Sequence, residues 1–392
     1  MLDRVSFKNF KSLRSVTLEL SPLTVLVGPN GSGKSSVLTA IHLLSQTGIR
    51  RPSGSLPWGR FGVTFGGPRD PRRLASSAPP LTMELAMREA GGDELTLTIV
   101  LPAPSDEQAD DLEFQVTVGG PAGPLRSTTA GESRGVAARS GAEAMLDDPR
   151  VRRFVSVVYL HLDASVMCRT STTDEEEPRM AANGEGLASS LAWMAGAKPD
   201  LLTAIATDLA QVVPGVRRIL THRERIVDRV MEKVDIDGQP IWRPVDRPRI
   251  GDRFSIEFAN GSEVPADLLS EGTVLALGLL TKMREPRRPR LFLLDDLDRG
   301  LHIDAQARLV AALRELMRQN PELQIVCSTH STYLLNLFDP SEVRVLALDE
   351  HRATHAKALT AHPEFDRWKY GTQTGELWAA LGDAWVTTQA EP

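Results

Sequence analysis

The sequence has little cysteine, few aromatic residues and no excess of positive charge. Its 392 residues include two cysteines, 5% aromatic residues and a formal net charge of −6. Two isolated cysteines, Cys168 and Cys327, exclude a disulfide framework and a cysteine-based metal site, and they favour a reducing cytoplasmic location. Because the chain is no polycation, any contact with nucleic acid has to come from local basic patches.

Long apolar runs and long heptad repeats are also missing. No run approaches the ~18 residues that a membrane-spanning helix requires. The first residues lead directly into a strand pattern, without a signal peptide. No apolar seam is sustained over three heptads, which excludes a long coiled coil. With 41% hydrophobic and 24% charged residues, the composition is that of a globular protein with two or three domains.

The most informative stretch is a glycine-rich turn between a short apolar run and an amphipathic segment. Leu23–Val27 predicts a buried strand that ends at glycine. The turn fits G-x-x-x-x-G-K-[ST], the phosphate-binding P-loop. Its residues are Gly28, Pro29, Asn30, Gly31, Ser32, Gly33, Lys34 and Ser35, followed by Ser36.

The P-loop predicts nucleotide binding with a division of roles. Loop N–H groups and the N-terminus of the following helix would surround the phosphates, because both present unpaired donors to an anion. Lys34 is the candidate to contact the β- and γ-phosphates, and Ser35 is the candidate to hold Mg²⁺. The sequence therefore predicts a nucleotide bound together with Mg²⁺.

A second apolar run, Leu291–Leu294, ends in two carboxylates, Asp295 and Asp296. A strand of this form presents acid at the carboxyl edge of a parallel sheet, beside a P-loop. Asp295 would hold Mg²⁺, and Asp296 would accept a proton from the attacking water. The alternative is an ordinary acidic turn after a strand.

Two further short segments complete the candidate site. The first begins a predicted helix, where a simple N-cap is the alternative role, and consists of Ser270, Glu271, Gly272 and Thr273. The second follows the strand predicted over Gln324–Ser328 and contains His330. A lone histidine at the end of a strand is more often structural than catalytic.

In this order, the motifs resemble those of the RecF, SMC and OLD (overcoming lysogenization defect) branch of ABC-class ATPases. The resemblance rests on Val5–Ser12, the P-loop, Ser270–Thr273, Asp295-Asp296 with Gly300-Leu301-His302, and Ser328–Ser331. It is closest to the standalone AAA-type ATPases, without a coiled coil, that are often encoded beside bacterial defence nucleases.

The resemblance implies ATP and Mg²⁺ as cofactors and a homodimer, or a higher oligomer, that closes around nucleotide. Ser270–Thr273 would be the signature that one protomer presents to the γ-phosphate of the other. His330 would be the switch histidine, catalytic together with Asp296 and Lys34. A separate effector such as a nuclease is the expected partner, DNA is a second possible partner, and no membrane is expected.

Three departures from the family pattern are visible. Asp296 and Asp298 stand where the family usually has glutamate, so the shorter base predicts slow hydrolysis. No convincing Q-loop glutamine is present, because Gln46 follows the P-loop too closely and Tyr159–Asp163 is only a positional candidate. About sixty residues follow His330 without the pattern of a Toprim domain, so we expect no nuclease in this chain.

These patterns predict an α/β fold, namely a P-loop NTPase head of ABC type. A mixed, mostly parallel sheet would be flanked by helices and joined by an antiparallel β subdomain and helical insertions. The expected divisions are an N-terminal lobe (1–50), a β-rich insertion (51–155, flexible over 119–145), a helical and β segment (156–265), a C-terminal lobe (266–350) and a tail (351–392).

Three functions are consistent with the sequence. The first is an ATPase that controls a separate effector in antiphage defence, and the third is a nucleotide-gated switch that barely hydrolyses ATP. The second is a RecF-like DNA-repair ATPase that would bind DNA through a basic face. A solvated, ion-paired surface is the favoured alternative for the same arginines. The basic face would comprise Arg217, Arg218, Arg223, Arg225, Arg229, Arg243, Arg247, Arg249 and Arg253.

Overall fold

The computed structural model describes residues 1–46, 81–88, 94–101, 114–120, 123–130, 156–236, 239–368 and 370–388. The chain forms two compact units. The first unit consists of Met1–Leu160, Pro289–Asp298 and Leu316–Pro392, and the second of His161–Arg288 and Arg299–Glu315. No helix in the described ranges is long and apolar enough to span a bilayer.

The strands are numbered in chain order. They are β1 (Leu2–Phe10), β2 (Leu13–Glu19), β3 (Leu23–Val27), β4 (Leu81–Arg88), β5 (Glu94–Leu101), β6 (Phe114–Gly120), β7 (Gly123–Ala130), β8 (Val157–Leu160), β9 (Val216–Ile236), β10 (Gln239–Phe258), β11 (Glu263–Pro265), β12 (Leu291–Leu294), β13 (Gln324–Ser328), β14 (Val343–Leu348) and β15 (Thr354–Ala358).

The helices are numbered in the same way. They are α1 (Lys34–Gln46), α2 (Ala164–Met167), α3 (Leu187–Ala197), α4 (Pro199–Val212), α5 (Glu271–Arg284), α6 (Ile303–Gln319), α7 (Thr332–Leu335), α8 (Phe365–Trp368) and α9 (Thr374–Leu381). Short 3-10 turns lie at Ala266–Leu268, Pro340–Glu342, Leu359–Ala361 and Ala384–Val386.

A mostly parallel sheet forms the centre of the first unit. Its strand order is β15-β14-β3-β13-β12-β8, and the edge strand β15 is antiparallel while the other neighbours are parallel. Strands β3, β12 and β13 are buried along their whole length, as expected for short apolar strands covered on both faces. The predicted bounds of these three strands, and the predicted α/β class, are confirmed.

A second sheet of the first unit is antiparallel, with the order β2-β1-β4-β5-β6-β7. Strand β1 alternates between inside and outside, since Val5 and Phe7 are buried while Lys8 is exposed. The buried residues join one hydrophobic core with α1 and the parallel sheet. This sheet is the predicted antiparallel β subdomain.

The second unit combines helices with a long β ribbon. Strands β9 and β10 pair antiparallel from Val216 to Phe258, and β11 adds to the base of β10. Helices α3 and α4 contact the ribbon, and α4 also contacts α5. The carboxylate of Asp208 on α4 accepts hydrogen bonds from Arg284 on α5 at 2.5 and 3.0 Å, which ties these two helices together.

Two sequence predictions need correction. The segment 119–145 was predicted to be flexible, but β6 continues to Gly120 and Gly123–Ala130 forms the edge strand β7. The small residues there pair through their backbones with β6, which side-chain patterning does not reveal; residues 131–145 lie outside the described ranges. Of the strand predicted over Phe154–Leu162, residues 154 and 155 lie outside the described ranges, and the described part is β8, which ends at Leu160 because the chain leaves the sheet at His161.

Candidate functional site

The P-loop connects the central strand β3 to α1, and two of its glycines are sterically required. Gly28 and Gly33 have backbone φ angles of 143° and 106°, which residues with a side chain rarely adopt. A Cβ atom would lie 2.1 Å from the Leu346 carbonyl oxygen at Gly28 and 2.5 Å from Thr354 Oγ1 at Gly33. The loop backbone is therefore packed tightly against its neighbours.

Lys34 is buried inside this loop. Its Nζ donates hydrogen bonds to the carbonyl oxygens of Gly28, at 2.8 Å, and Pro29, at 3.0 Å. Burial lowers the pKa of the Lys34 ammonium, and the carboxylates of Asp296 and Asp295 partly counteract that effect. The cation is thus held at the loop, within electrostatic reach of both acids.

The other loop residues leave donors for an anion. Ser32 is buried, and its Oγ has no hydrogen-bond partner among the described residues. Pro29, Asn30, Gly31 and Ser35 are exposed, and Ser36 is half-buried at the start of α1. A buried orphan hydroxyl, a cation and a helix N-terminus in one loop fit a bound phosphate chain.

Asp295 directly follows β12 and is oriented by two hydroxyl groups. Tyr159 on β8 donates to Asp295 Oδ2 at 3.0 Å, and Ser328 at the end of β13 donates to Oδ1 at 2.5 Å. Burial is the main cause that raises the pKa of the Tyr159 phenol, and the negative charge of Asp295 raises it further. The phenol therefore keeps the proton that it donates in the hydrogen bond. These bonds hold the Asp295 carboxylate in a fixed orientation, as a metal-binding carboxylate needs.

Asp296 has a different environment. Its backbone is left-handed, with φ of 53°, and its N–H donates to Ser328 Oγ at 2.9 Å. Its carboxylate is half exposed, and Oδ1 lies 3.8 Å from Nε2 of His330. That separation is too long for a hydrogen bond. Both groups are nonetheless close enough to contact one small molecule at the sheet edge.

The described residues contain no group of three or more His, Cys, Asp or Glu side chains that could hold a metal alone. Mg²⁺ does not need one, since it is usually held by one or two carboxylates together with substrate phosphates and water. Asp295 and the Ser35 hydroxyl are suitable ligands of this type. Asp298 is already occupied, because its Oδ1 accepts a 2.6 Å hydrogen bond from Thr329 Oγ1.

The signature-like segment belongs to the second unit and begins α5. Ser270 is the N-cap, and its Oγ accepts a hydrogen bond from the Thr273 N–H at 3.2 Å. Glu271 pairs with Arg299 at 3.5 Å. A Cβ atom at Gly272 would lie 2.4 Å from the Gly300 carbonyl oxygen, so packing within the chain already requires glycine there. Ser270 remains exposed.

The tail supports the P-loop through a residue that no sequence pattern predicted. Thr354 on β15 donates to the Ser32 carbonyl at 3.0 Å and lies 2.8 Å from Ser12 Oγ, and its N–H donates to the Ser12 carbonyl. A lone threonine far from the motif carries no local pattern that predicts this contact. Ser328 was named within the Ser328–Ser331 motif and Tyr159 within the positional candidate for the Q-loop, and neither was predicted as a partner of Asp295.

Four of the nine arginines of the predicted basic face form ion pairs in the described part of the ribbon. Arg217 and Arg218 both contact Glu257, at 3.2 and 2.5 Å. The same ladder continues with three more pairs, Arg249 with Asp174, Arg253 with Glu224 and Arg253 with Asp267. These contacts agree with the favoured alternative, a solvated surface of compensated charges.

Comparison with known proteins identifies two AAA-type regions. A family model described as "AAA ATPase domain" matches residues 1–83, and one described as "AAA domain, putative AbiEii toxin, Type IV TA system" matches residues 175–336. An OLD nuclease of Thermus scotoductus is 52% identical over 44 residues, 11% of this chain and 8% of that protein.

RecF, the DNA replication and repair protein of Pseudomonas savastanoi, is 51% identical over 57 residues, 14% of this chain and 16% of that protein. The matched segments thus span less than a fifth of these relatives. Among solved structures, the Smc head domain with an extended coiled coil bound to the C-terminal domain of ScpA, derived from Pyrococcus furiosus, has a TM-score of 0.52 at 12% identity. It covers 93% of this chain and 98% of that chain, and the likeness concerns the fold alone.

Two regions of the chain are therefore similar to AAA-type ATPase domains. Together with the short matches to an OLD nuclease and to RecF, they make the chain similar to the ABC-class ATPases of the RecF, SMC and OLD type.

Proposed function

We propose that this protein binds ATP with Mg²⁺, hydrolyses it, and uses the ATP-bound state to form a dimer. The observation that carries the proposal is the meeting of Lys34, Asp295 and Asp296 at one edge of the parallel sheet. Strands β3, β13 and β12 are neighbours, and each ends at that edge. In parallel α/β sheets, ligands bind outside the carboxyl ends of the strands.

The residues of the site have separate roles in binding the phosphates, holding the metal ion and accepting the proton. Loop amides from Gly28 to Ser36 and the Lys34 ammonium bind the phosphate chain. Ser35 and Asp295 would hold Mg²⁺, which supplies neutralisation of the phosphate charge. Asp296 accepts the proton of the attacking water, and His330, 3.8 Å from it, contacts the same water or the γ-phosphate.

The signature residues Ser270–Thr273 act on the nucleotide of a second copy. This step rests on the family resemblance and on the exposure of Ser270 at a helix N-terminus, where an anion is favoured. The dimer, or a higher oligomer built from it, would license a separate effector such as a nuclease in antiphage defence. The two isolated cysteines support a cytoplasmic location.

Ser270 provides a sharper test than Gly272, since any side chain at Gly272 disturbs its own chain. Ser270→Asp keeps the N-cap but places a negative charge against the γ-phosphate, so ATP-dependent dimerisation and turnover should fall at least ~10-fold. Ser270→Asn, a neutral cap of matched size, is the control and should retain both. Light scattering with and without ATP measures dimerisation, and phosphate release measures turnover.

Mixing variants tests the arrangement between copies. Lys34→Ala removes the cation from the phosphates and should abolish turnover alone. A mixed dimer of Lys34→Ala and Ser270→Asp protein has one site with both defects and one intact site, so partial activity should return. Proven mixed dimers without any recovery would contradict action between copies. Unchanged nucleotide affinity and turnover in Lys34→Ala would contradict the P-loop assignment itself.

A further inference from the structure

His330 lies in a short segment whose neighbours on both sides are hydrogen-bonded. On one side is the buried Thr329, whose Oγ1 donates to Asp298 Oδ1 at 2.6 Å and accepts from the Ser331 N–H at 3.0 Å. On the other side Ser331 caps α7, since its Oγ accepts a hydrogen bond from the Leu334 N–H at 3.1 Å. The backbone position of His330 therefore depends on where α7 lies.

Helix α7 is too short to hold its own position. It has four residues, and isolated helices shorter than ~12–15 residues are marginal in water, so tertiary contacts have to fix it. Leu334 and Leu335 provide part of that contact, since both are buried. The tail helix α9 provides another part, because it packs against α7.

The contact between α9 and α7 is closest at a glycine. A Cβ atom at Gly375 would lie 1.9 Å from the Thr332 carbonyl oxygen and 2.7 Å from Asn336 Oδ1. The Gly375 N–H, in the first turn of α9, donates to that same Asn336 Oδ1 at 2.7 Å. Thr374 donates from Oγ1 to the Phe338 carbonyl oxygen, also at 2.7 Å. The first turn of α9 thus contacts α7 at its first residue and just beyond its last.

The segment that follows α9 is joined to the parallel sheet. Lys357 on the edge strand β15 donates from Nζ to the carbonyl oxygens of Trp385, at 3.3 Å, and Thr388, at 2.9 Å. The same ammonium lies 5.7 Å from the centroid of the Trp385 ring, a cation–π distance. Val386, between these two residues, is buried. The tail therefore connects the edge of the sheet to α7.

We propose that α9 positions His330 for ATP hydrolysis, with Gly375 and Asn336 as the positioning residues. The inference rests on the proposed catalytic role of His330. Because His330 Nε2 is 3.8 Å from Asp296 Oδ1, a displacement of α7 changes the distance at which these two groups meet the attacking water. A misplacement of about 1 Å can lower a rate about 100-fold. The tail thereby helps to set the turnover rate.

Substitutions of Asn336 separate this role from a role in nucleotide binding. Asn336→Ala removes the acceptor of the Gly375 N–H, so kcat for ATP hydrolysis should fall at least ~10-fold while KM for ATP changes less than ~2-fold. Asn336→Asp keeps the acceptor, and a negative charge is favoured at the N-terminus of α9, so this variant should retain most of kcat. Steady-state kinetics of the full chain measure both parameters.

A glycine substitution provides a second measurement with a matched control. Gly375→Ala places a Cβ atom against the Thr332 carbonyl oxygen and should also lower kcat, by ~10- to 100-fold, with KM unchanged. Gly196→Ala on α3 is the control, because a Cβ atom there meets nothing within 4 Å. It should retain the kcat of the wild type.

Combined variants test whether α9 acts through His330. In a chain that already carries His330→Ala, adding Asn336→Ala should lower single-turnover phosphate release no further, since the group that α9 positions is gone. An additive loss, or wild-type kcat in both Asn336→Ala and Gly375→Ala, would overturn the inference and leave the proposed ATPase function intact. Wild-type kcat in His330→Ala would contradict the catalytic role of His330, and the inference would fall with it.

Discussion

The backbone of Asp296 is left-handed, a conformation that costs a non-glycine residue roughly 1–3 kcal/mol. Its N–H is tied to Ser328 Oγ, and the same hydroxyl donates to Asp295. Ser328 therefore fixes the carboxylate of Asp295 and the backbone of Asp296 relative to the sheet. With the backbone held, we expect a carboxylate one methylene shorter than that of glutamate to reach the attacking water less closely.

We therefore expect slow hydrolysis, well below the ~10 s⁻¹ typical of enzymes. Asp296→Asn should nearly abolish turnover while ATP binding stays unchanged, because the amide cannot accept the proton. Asp296→Glu should raise turnover, since it restores the missing methylene. Single-turnover phosphate release and equilibrium ATP titration separate the two effects.

Two outcomes would contradict this account. Wild-type ATP turnover at the rate typical of enzymes would contradict a long-lived ATP-bound state that serves as the signal. Full activity in Asp296→Asn would place the base elsewhere, and His330 is then the first residue to examine.

At the scale of elements, strand β15 supports the P-loop from the far end of the chain. Thr354 is 1% exposed, and its hydroxyl and N–H hold Ser32 and Ser12. Gly33 lies against the same threonine, so no side chain fits between them. The loop is thus shaped by an edge strand as well as by its own glycines.

Thr354→Val keeps the shape but removes the hydroxyl, leaving the Ser32 carbonyl without that donor. A lost hydrogen bond of about 1–1.5 kcal/mol corresponds to ATP affinity about 5- to 10-fold weaker. Thr354→Ser should restore most of the affinity, and the exposed Thr388→Val should have no effect. Isothermal titration with ATP analogues measures the change; equal affinity in Thr354→Val would show that β15 does not position the loop.

At the scale of the whole molecule, charge bears on the choice between partners. The net charge is −6, and four of the nine candidate ribbon arginines form ion pairs with Glu257, Asp174 and Glu224. Binding to DNA depends on uncompensated cations that release counterions from the phosphates. In the described part of the ribbon, these ion pairs reduce the uncompensated positive charge, which disfavours a dedicated DNA-binding surface there.

We expect duplex DNA to bind no more tightly than ~10⁻⁴–10⁻⁶ M at physiological salt, the range of non-specific binding. Fluorescence anisotropy at 50 and 200 mM salt tests this, with Arg243→Gln as a probe of the exposed ribbon. Nanomolar affinity with a steep salt dependence would instead favour the RecF-like alternative.

The sequence by itself determined the strands and motifs that are specified by residues adjacent in the chain. The P-loop, the acid-ended strand β12 and the strand before His330 were predicted with the observed bounds, because a short apolar run bordered by glycine or acid specifies both a strand and its end. The motif order also predicted the class. Small residues with little patterning, as in β7, gave no such information, since their pairing depends on the backbone of a neighbour.

Tertiary structure decided what lies beside the motifs. Thr354, Tyr159 and Ser328 reach the site from separate strands, and hydrogen bonds between residues more than a hundred positions apart leave no trace in local periodicity. Pairing of β9 with β10 decided that four apolar residues share one exposed face, because only the register of the ribbon places Val227 and Met231 on the same side as Trp242 and Ile250. Local chemistry fixes which residues can act, whereas strand order and register decide which of them meet.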